Sequence, residues 1–339
     1  MSPSLAARLT PIRDTGVEIS TVGVGGGPIG NLLAPVTDAD ADSLLHAALR
    51  HGIRYFDTAP LYGMGLAETR LGRVLSQQPR DTFAVSTKVG RLLRPDAPPD
   101  PELFHKGEPF FRGSTVLNPV WDFSYAGTQQ SIEESLGRLS LGRAEIAFLH
   151  EPPDRFLRLA VTEGCGSLRD LRRAGLVRAI GIGWDRVDEM AGLVQEVDFD
   201  CILVAGRYTL LDQSAIRQLL PACTRRRVAV IVGGVFNSGI LADPKSTYEY
   251  VPAGPEVRER VRMLTEICQR WSVPLKALAL QFPLGHPAVA GIVLGMRSTR
   301  ELEENIGLLE LPIPYGLWRE IHNAGLLPEE APVPGEPNV

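Results

Sequence analysis

An α/β fold, a (β/α)8 TIM barrel entered through an N-terminal β-hairpin, is what three features of this 339-residue chain predict. Short β-branched runs alternate with amphipathic stretches of helical period along almost the whole sequence, the pattern of parallel βα units. Hydrophobic residues, at 44%, supply one continuous core, enough for one domain over residues 1–339. No GxGxxG opens the first helix after a strand, which disfavours the doubly wound sheet, the next-best architecture.

The elements follow in order. TPIR and VEIS flank the turn Asp14-Thr15-Gly16 and read as a hairpin. Strand-like runs come next at 20–24, 54–57, 83–88, 145–150, 177–182, 201–204, 228–232 and 289–294. Helical stretches lie near 38–51, 66–77, 128–140, 157–174, 186–195, 213–226, 255–285 and 299–309. Thr37 or Asp38 caps the first of these, and Thr128 the third. Residues 89–127 have no helical period and are rich in proline, phenylalanine and charge. A loop of that length after a strand reads as an active-site segment on the C-terminal face of the barrel. Residues 233–254 are a second irregular stretch, and the proline-rich tail 328–339 reads as loose.

Composition excludes several classes. A net charge of -5 speaks against a nucleic-acid binder, which shows a basic face. No apolar run approaches the roughly 20 residues that cross a bilayer, and the first residues lack the apolar centre of a secretory signal. The expectation is a soluble, cytoplasmic protein with neither nucleic acid nor membrane as partner. Cys165, Cys201, Cys223 and Cys268 are scattered, without a CxxC pair or a histidine at ligand spacing, and read as buried thiols with no metal. Lysine is scarce (Lys88, Lys106, Lys245, Lys276), so a lysine ending an apolar strand stands out.

Polar residues end successive strands: Asp57 in IRYFD, Lys88 in FAVSTK and His150 in IAFLH, with Tyr62 in the loop DTAPLYG. In a barrel these ends converge on one mouth. The carboxylate of Asp57 keeps a desolvated Lys88 positive. The ammonium then favours tyrosinate, and is expected to lower the Tyr62 phenol from about 10 toward the working range of proton transfer. A histidine beside the same oxygen donates a hydrogen bond. Together the four make an acid–base site for a carbonyl or alcohol. Gly25, Gly26 and Gly27 end the first strand, where close backbone approach to a ligand needs no side chain.

The stretches FDTAPLYGMGLAETRLGRVL, STKVG and IAFLHEPPD resemble the aldo-keto reductase superfamily over about residues 8–310. SYAGTQQSIEESLGRLSL, AGRYTLLDQ, GGVFNSGIL and LQFPLGHPAV are similar to its sugar-dehydrogenase branch, the D-threo-aldose 1-dehydrogenases (L-fucose dehydrogenases) and pyridoxal 4-dehydrogenases. The resemblance implies a catalytic tetrad of Asp57, Tyr62, Lys88 and His150, and an NAD or NADP cofactor stretched across the mouth without a metal. Carried over by position, it implies cofactor contacts from Gly26, Gly27, Asp57, Asp185, Val235, Phe236, Asn237, Ser238, Leu241, Gly295, Arg297, Glu301, Glu304 and Asn305.

Departures from the family pattern matter. GIGWD places Gly183 and Trp184 where many members have Ser-Asn, leaving Asp185 to hold the carboxamide. Ala205 stands for a glutamine on the sixth strand, Val235 and Phe236 stand near the usual stacking aromatic, and Glu151 and Pro153 alter the usual LHDPD. In GMRSTRELEEN, a helix starting near Ser298 offers its N-terminal amides to phosphate. Arg297 and Arg300 suit a 2′-phosphate, whereas Glu301 suits a free ribose 2′-hydroxyl. The balance favours NAD.

The function so implied is hydride transfer between nicotinamide and a carbonyl or hemiacetal carbon, oxidising an aldose-like or pyridoxal-like substrate. Substrate contacts are expected from Tyr62, His150, Trp121, Phe123, Tyr125, Trp184 and Tyr208. Two other readings stay open: an NADPH-dependent, pathway-specific ketone or aldehyde reductase on the same tetrad, and a cofactor-binding regulatory subunit.

Overall fold

The β-branched runs form eight parallel strands that close into a barrel: β1 Val22–Gly25, β2 Tyr55–Asp57, β3 Ala84–Val89, β4 Ile146–His150, β5 Ala179–Trp184, β6 Cys201–Ala205, β7 Ala229–Gly233 and β8 Val289–Gly295. Each strand pairs with the next, and β8 returns to β1 through the register Ile292↔Val22 to Gly295↔Gly25. The computed structural model describes residues 4–105, 107–113 and 116–335.

Alternation across each strand sends every second side chain into the lumen. Tyr55, Ala84, Ile146, Phe148, Cys201, Leu203 and Ile231 pack there as one buried cluster. The hairpin Leu9–Ile12/Val17–Ser20 adds Ile12, Val17 and Ile19 to that cluster, so it plugs the N-terminal end of the barrel. The lower lumen is therefore solid, and chemistry is confined to the opposite mouth. The outward residues pack against the helices as the larger core.

Four differences from the sequence expectations have local causes. The third helix is Tyr125–Leu139, capped by Ser124, whose hydroxyl accepts from Gly127 N; Thr128 is buried inside the helix instead. The stretch 255–285 is two helices, Pro255–Arg270 and Leu275–Gln281, because Pro274 has no N–H to continue the first and Ser272 turns left-handed at φ 53°. A further helix, Tyr315–Asn323, buries Leu317, Trp318 and Ile321. The tail is not loose up to residue 335: Ala331 and Val333 are buried, and Gly285 lies so close to Pro332 O that a Cβ there would sit at 2.7 Å. Residues 336–339 of that expected tail lie outside the described residues.

The long segment after β3 is more regular than its prolines suggest. Arg91–Arg94 pairs antiparallel with Asn118–Trp121, and Phe104–His105 with Glu108–Pro109. Pro95, Pro98, Pro99 and Pro101 fall between these ladders, where no donor is lost. The resulting arm bends back to the β1 loop through Leu33 N to Phe110 O (2.6 Å) and Arg112 N to Asn31 O (2.8 Å). Phe110 also meets Tyr250 of the segment after β7, ring centroids 5.8 Å apart. Two loops thus meet above the mouth.

Candidate active site

At the top rung of the lumen, β2, β3 and β4 present Asp57, Lys88 and His150, all buried. Lys88 Nζ donates to Asp57 Oδ2 at 2.8 Å, to Oδ1 at 3.0 Å and to Thr58 O at 2.9 Å. Beneath them Tyr55 OH lies 2.9 Å from Ser86 Oγ, which donates to Asp57 Oδ1 at 2.7 Å. A buried ion pair needs such saturation, because its desolvation cost is large.

Tyr62 reaches this group from the loop after β2. The loop turns through Gly63, Met64 and Gly65, all at positive φ, and packs against Gly30 so closely that a Cβ on Gly30 would lie 2.7 Å from Tyr62 C. That packing fixes the ring: its centroid is 4.6 Å from Lys88 Nζ and 6.0 Å from the His150 ring, edge-on. Phe111 of the arm lies on another side, also at 6.0 Å.

The electrostatics differ from the sequence expectation at one point. Burial pushes the Tyr62 phenol up to about 12, and the attraction of Lys88 offsets this only in part. The reason is that the lysine charge is already neutralised by Asp57. Burial works against the charged form of Lys88 too, yet Asp57 and then Tyr62 more than compensate and hold its pKa above the ordinary value. His150 goes the other way: burial first, then Arg91 and Lys88, hold it well below the usual range, so it is neutral at pH 7.

The other half of the rung has almost no side chains. Gly25, Gly183, Gly233 and Gly295, with Ala205, occupy the inward positions of β1, β5, β7, β8 and β6. A Cβ on Gly183 would find nothing closer than Lys88 Cε at 3.7 Å, so that position is open. Buried polar atoms without a partner mark the same mouth: Thr58 Oγ1, Arg91 NH1, His150 Nδ1, Asn237 Oδ1, Arg297 Nε and Asn305 Oδ1. His150 ends β4, Thr58, Arg91, Asn237 and Arg297 lie one to four residues past the ends of β2, β3, β7 and β8, and Asn305 is in the helix after β8. Such atoms are costly unless a ligand satisfies them. Gly183 is thus the open position, whereas a Cβ on Gly25 would meet Val293 at 2.9 Å and one on Gly295 would meet Pro28 at 2.9 Å. An open position beside an acid–base cluster, with unsatisfied polar groups around it, suits an extended dinucleotide.

Comparison with known proteins gives the same direction. The aldo/keto reductase family model matches residues 21–324. The chain belongs to the aldo/keto reductase family. It is 42% identical to a D-threo-aldose 1-dehydrogenase of Pseudomonas sp over 92% of this chain and 96% of that one. It is 38% identical to a pyridoxal 4-dehydrogenase of Microbacterium luteolum, again covering 92% and 96%. In fold it matches the glycerol dehydrogenase of Gluconobacter oxydans with a TM-score of 0.74 at 20% identity, covering 98% and 99% of the two chains. This aldo/keto reductase is an oxidoreductase that acts on a CH–OH or C=O group with a nicotinamide cofactor. No helix among the described residues is long and apolar enough to cross a membrane, and no group of three or more His, Cys, Asp or Glu side chains among them is placed to hold a metal.

Of the expected substrate residues in this reductase, Tyr62 and His150 meet at the mouth, and Trp121 lies beneath the Arg91 guanidinium at 3.8 Å with its ring stacked on Phe123. The other four lie elsewhere. Trp184 shares the outward face of β5 with Ile180 and Ile182, since Gly183 takes the inward place. Phe123 is fully buried in the outer core, filling the space above Gly90. Tyr208 is fully buried against Phe282, ring centroids 5.0 Å apart. Tyr125 is an exposed first-turn residue whose hydroxyl donates to Asp170 at 2.8 Å, on the helical surface.

The expected cofactor residues divide similarly. Asn237 and Ser238 sit in left-handed backbone after β7, with Val235 and Leu241 buried around them. Phe236 lies 5.7 Å from Lys276 Nζ, and Lys276 pairs with Glu304 at 2.8 Å. Glu301 accepts from Arg297 N at 2.8 Å while Ser298 Oγ accepts from Glu301 N at 3.3 Å, which is a helix-capping arrangement. Asp185 gives one carboxylate oxygen to Arg207 at 3.0 Å. Gly26 is required for a reason other than ligand approach: a Cβ there would lie 2.9 Å from Asp57 O, whereas at Gly27 it would make only ordinary contact with Leu32. The sequence reading missed Arg91 and Tyr250. Arg91 had a usable signal, since it stands three residues past Lys88 on the same face of the barrel.

Proposed function

We propose that this enzyme oxidises the hemiacetal carbon of an aldose-like or pyridoxal-like substrate with NAD, using Tyr62 as the proton-transferring group. The observation that carries the reading is the cluster of Tyr62, the Lys88–Asp57 pair and neutral His150 beside the open position at Gly183. His150 donates a hydrogen bond to the substrate oxygen and orients it toward Tyr62. In oxidation that oxygen gives its proton to Tyr62; in reduction the phenol returns it. Lys88 favours the phenolate and Asp57 keeps Lys88 charged.

Gly183 leaves room for the nicotinamide ring, and Asn237, Arg297 and Asn305 offer unpaired polar atoms to the rest of the dinucleotide. The nicotinamide, when bound, supplies the hydride acceptor or donor. The Glu301 carboxylate at the start of the helix Thr299–Leu309 supports NAD, because a 2′-phosphate brought there meets a charge of its own sign. The unpaired Nε of Arg297 favours the second reading, an NADPH-dependent reductase. The names of the two relatives support aldose and pyridoxal as substrates to try. The test is a screen of aldoses, pyridoxal and small ketones in both directions with each cofactor, read by NAD(P)H absorbance. Oxidation of an aldose or pyridoxal with NAD supports the proposal; activity confined to NADPH-dependent reduction refutes it.

A further inference from the structure

One ion pair at the mouth has no partner in the substrate or cofactor contacts described so far. Arg91 opens the arm just after β3, and Glu151 directly follows His150. Arg91 NH2 donates to Glu151 Oε2 at 3.3 Å, and that oxygen is 3.9 Å from His150 Nε2. The Arg91 side chain is 9% exposed, its guanidinium stacks over Trp121, and its NH1 has no partner. Glu151 is partly exposed and held in left-handed backbone at φ 46°, an uncommon place for a residue with a side chain. The pair acts on the chemistry at short range. Arg91 helps to hold His150 neutral, and Glu151 raises the Tyr62 phenol. Arg91 and Glu151 therefore border the spot where Tyr62 and His150 hold the reacting oxygen.

A buried guanidinium N–H without an acceptor, next to a strained and half-solvated carboxylate, is poor design for a structural ion pair. It is good design for a ligand that brings both an acceptor and a donor. An anionic group would gain from Arg91 but be repelled by Glu151, and a cationic group would meet the reverse. A neutral hydroxyl satisfies both partners at once: it accepts from Arg91 NH1 and donates to a Glu151 oxygen. Buried polar groups of this kind discriminate strongly against analogues that lack the hydroxyl, because both partners are then left unpaired.

We propose that Arg91 and Glu151 form a clamp for the hydroxyl on the carbon next to the reacting one, which makes the enzyme selective for substrates with neighbouring hydroxyls. The proposal rests on Tyr62 and His150 holding the reacting oxygen. It gives Arg91 and Glu151 a specificity role and no part in proton or hydride transfer. Selectivity should then appear mainly in the Michaelis constant.

The experiment compares L-fucose with 2-deoxy-L-fucose in the wild type, Arg91→Lys and Glu151→Gln, with 4-nitrobenzaldehyde reduction as a substrate lacking any such hydroxyl. Arg91→Lys keeps the charge and loses the planar fork; Glu151→Gln keeps the shape and loses the strong acceptor. A melting curve on each variant checks the fold. The wild type is expected to prefer L-fucose at least tenfold in kcat/KM. In each variant the loss on L-fucose should exceed the loss on 2-deoxy-L-fucose by at least tenfold, chiefly through KM. Equal losses on both sugars, or a wild type indifferent to the 2-hydroxyl, overturn the clamp. A wild type that reduces 4-nitrobenzaldehyde but oxidises neither sugar overturns the clamp while leaving the acid–base reading intact. A folded wild type that turns over none of the three removes that reading, and the clamp with it.

Discussion

Replacing Lys88 by methionine removes a buried ammonium and leaves its partner stranded. Asp57 is 3% exposed, and of its side-chain contacts only the Ser86 hydroxyl at 2.7 Å remains. Breaking a buried pair from one side costs about 3–5 kcal/mol, because the surviving charge has neither water nor counter-ion. Unfolding entropy of about 2.1 cal/mol/K per residue, over the whole chain, puts that loss at roughly 4–7 °C in Tm. The double variant Asp57→Asn/Lys88→Met should recover part of the drop, since no charge is then left unpaired. Neither variant should recover turnover, because Tyr62 has lost the one neighbour that favours its phenolate. Differential scanning fluorimetry on the wild type, both single variants and the double variant closes the cycle. Additive shifts in Tm, with no coupling between the two sites, would refute the buried-pair reasoning.

Three other outcomes follow from the geometry. Because the Tyr62 phenol sits at about 12, its base form grows with pH throughout the practical range. The oxidative kcat/KM should therefore climb toward high pH while the reductive one falls, and a flat oxidative profile from pH 7 to 10 would contradict this. Glu301→Arg should shift the ratio of NAD to NADP dissociation constants at least tenfold toward NADP. Glu301→Gln, which keeps an acceptor for Arg297 N, serves as the capping control. Arg94 and Asn118 are register partners, so residues 95–117 can be replaced by a two-residue Asn-Gly turn that closes the ladder. The shortened arm should leave the Tm within a few degrees and cofactor affinity unchanged, while kcat/KM falls at least tenfold. Unchanged kinetics would make the arm a bystander.

Much of the barrel was legible because each strand is buried on both faces, and this leaves short apolar runs in the sequence. The converging strand ends were legible for the same reason: Asp57, Lys88 and His150 are polar residues closing apolar runs. Strand parity also predicts the fate of Trp184, which must face outward with Ile180 and Ile182 once Gly183 faces in; an aromatic near the mouth was mistaken for one in it. Phe123 and Tyr208 could not be placed, because the voids they fill, above Gly90 and against Phe282, exist only in three dimensions. The direction of the Tyr62 shift was hidden for a related reason. Residue identities give a lysine near a tyrosine and a carboxylate for the lysine, but only the structure shows Tyr62 buried deeply enough for desolvation to outweigh Lys88. The helix Tyr315–Asn323 was missed because it is only nine residues long, follows the prolines of LPIPYG and carries Gly316 in its first turn.

The central claim is that Tyr62 transfers the proton, and the variant Tyr62→Phe tests it most directly. Phenylalanine keeps the ring between Phe111, His150 and Lys88 and removes only the hydroxyl. With a substrate found in the screen, kcat should fall by a factor of about 100 or more, the scale of losing a general acid–base group. The NAD dissociation constant should stay within threefold, since the open position at Gly183 is untouched. A folded Tyr62→Phe variant that turns over at near wild-type rate would contradict the account.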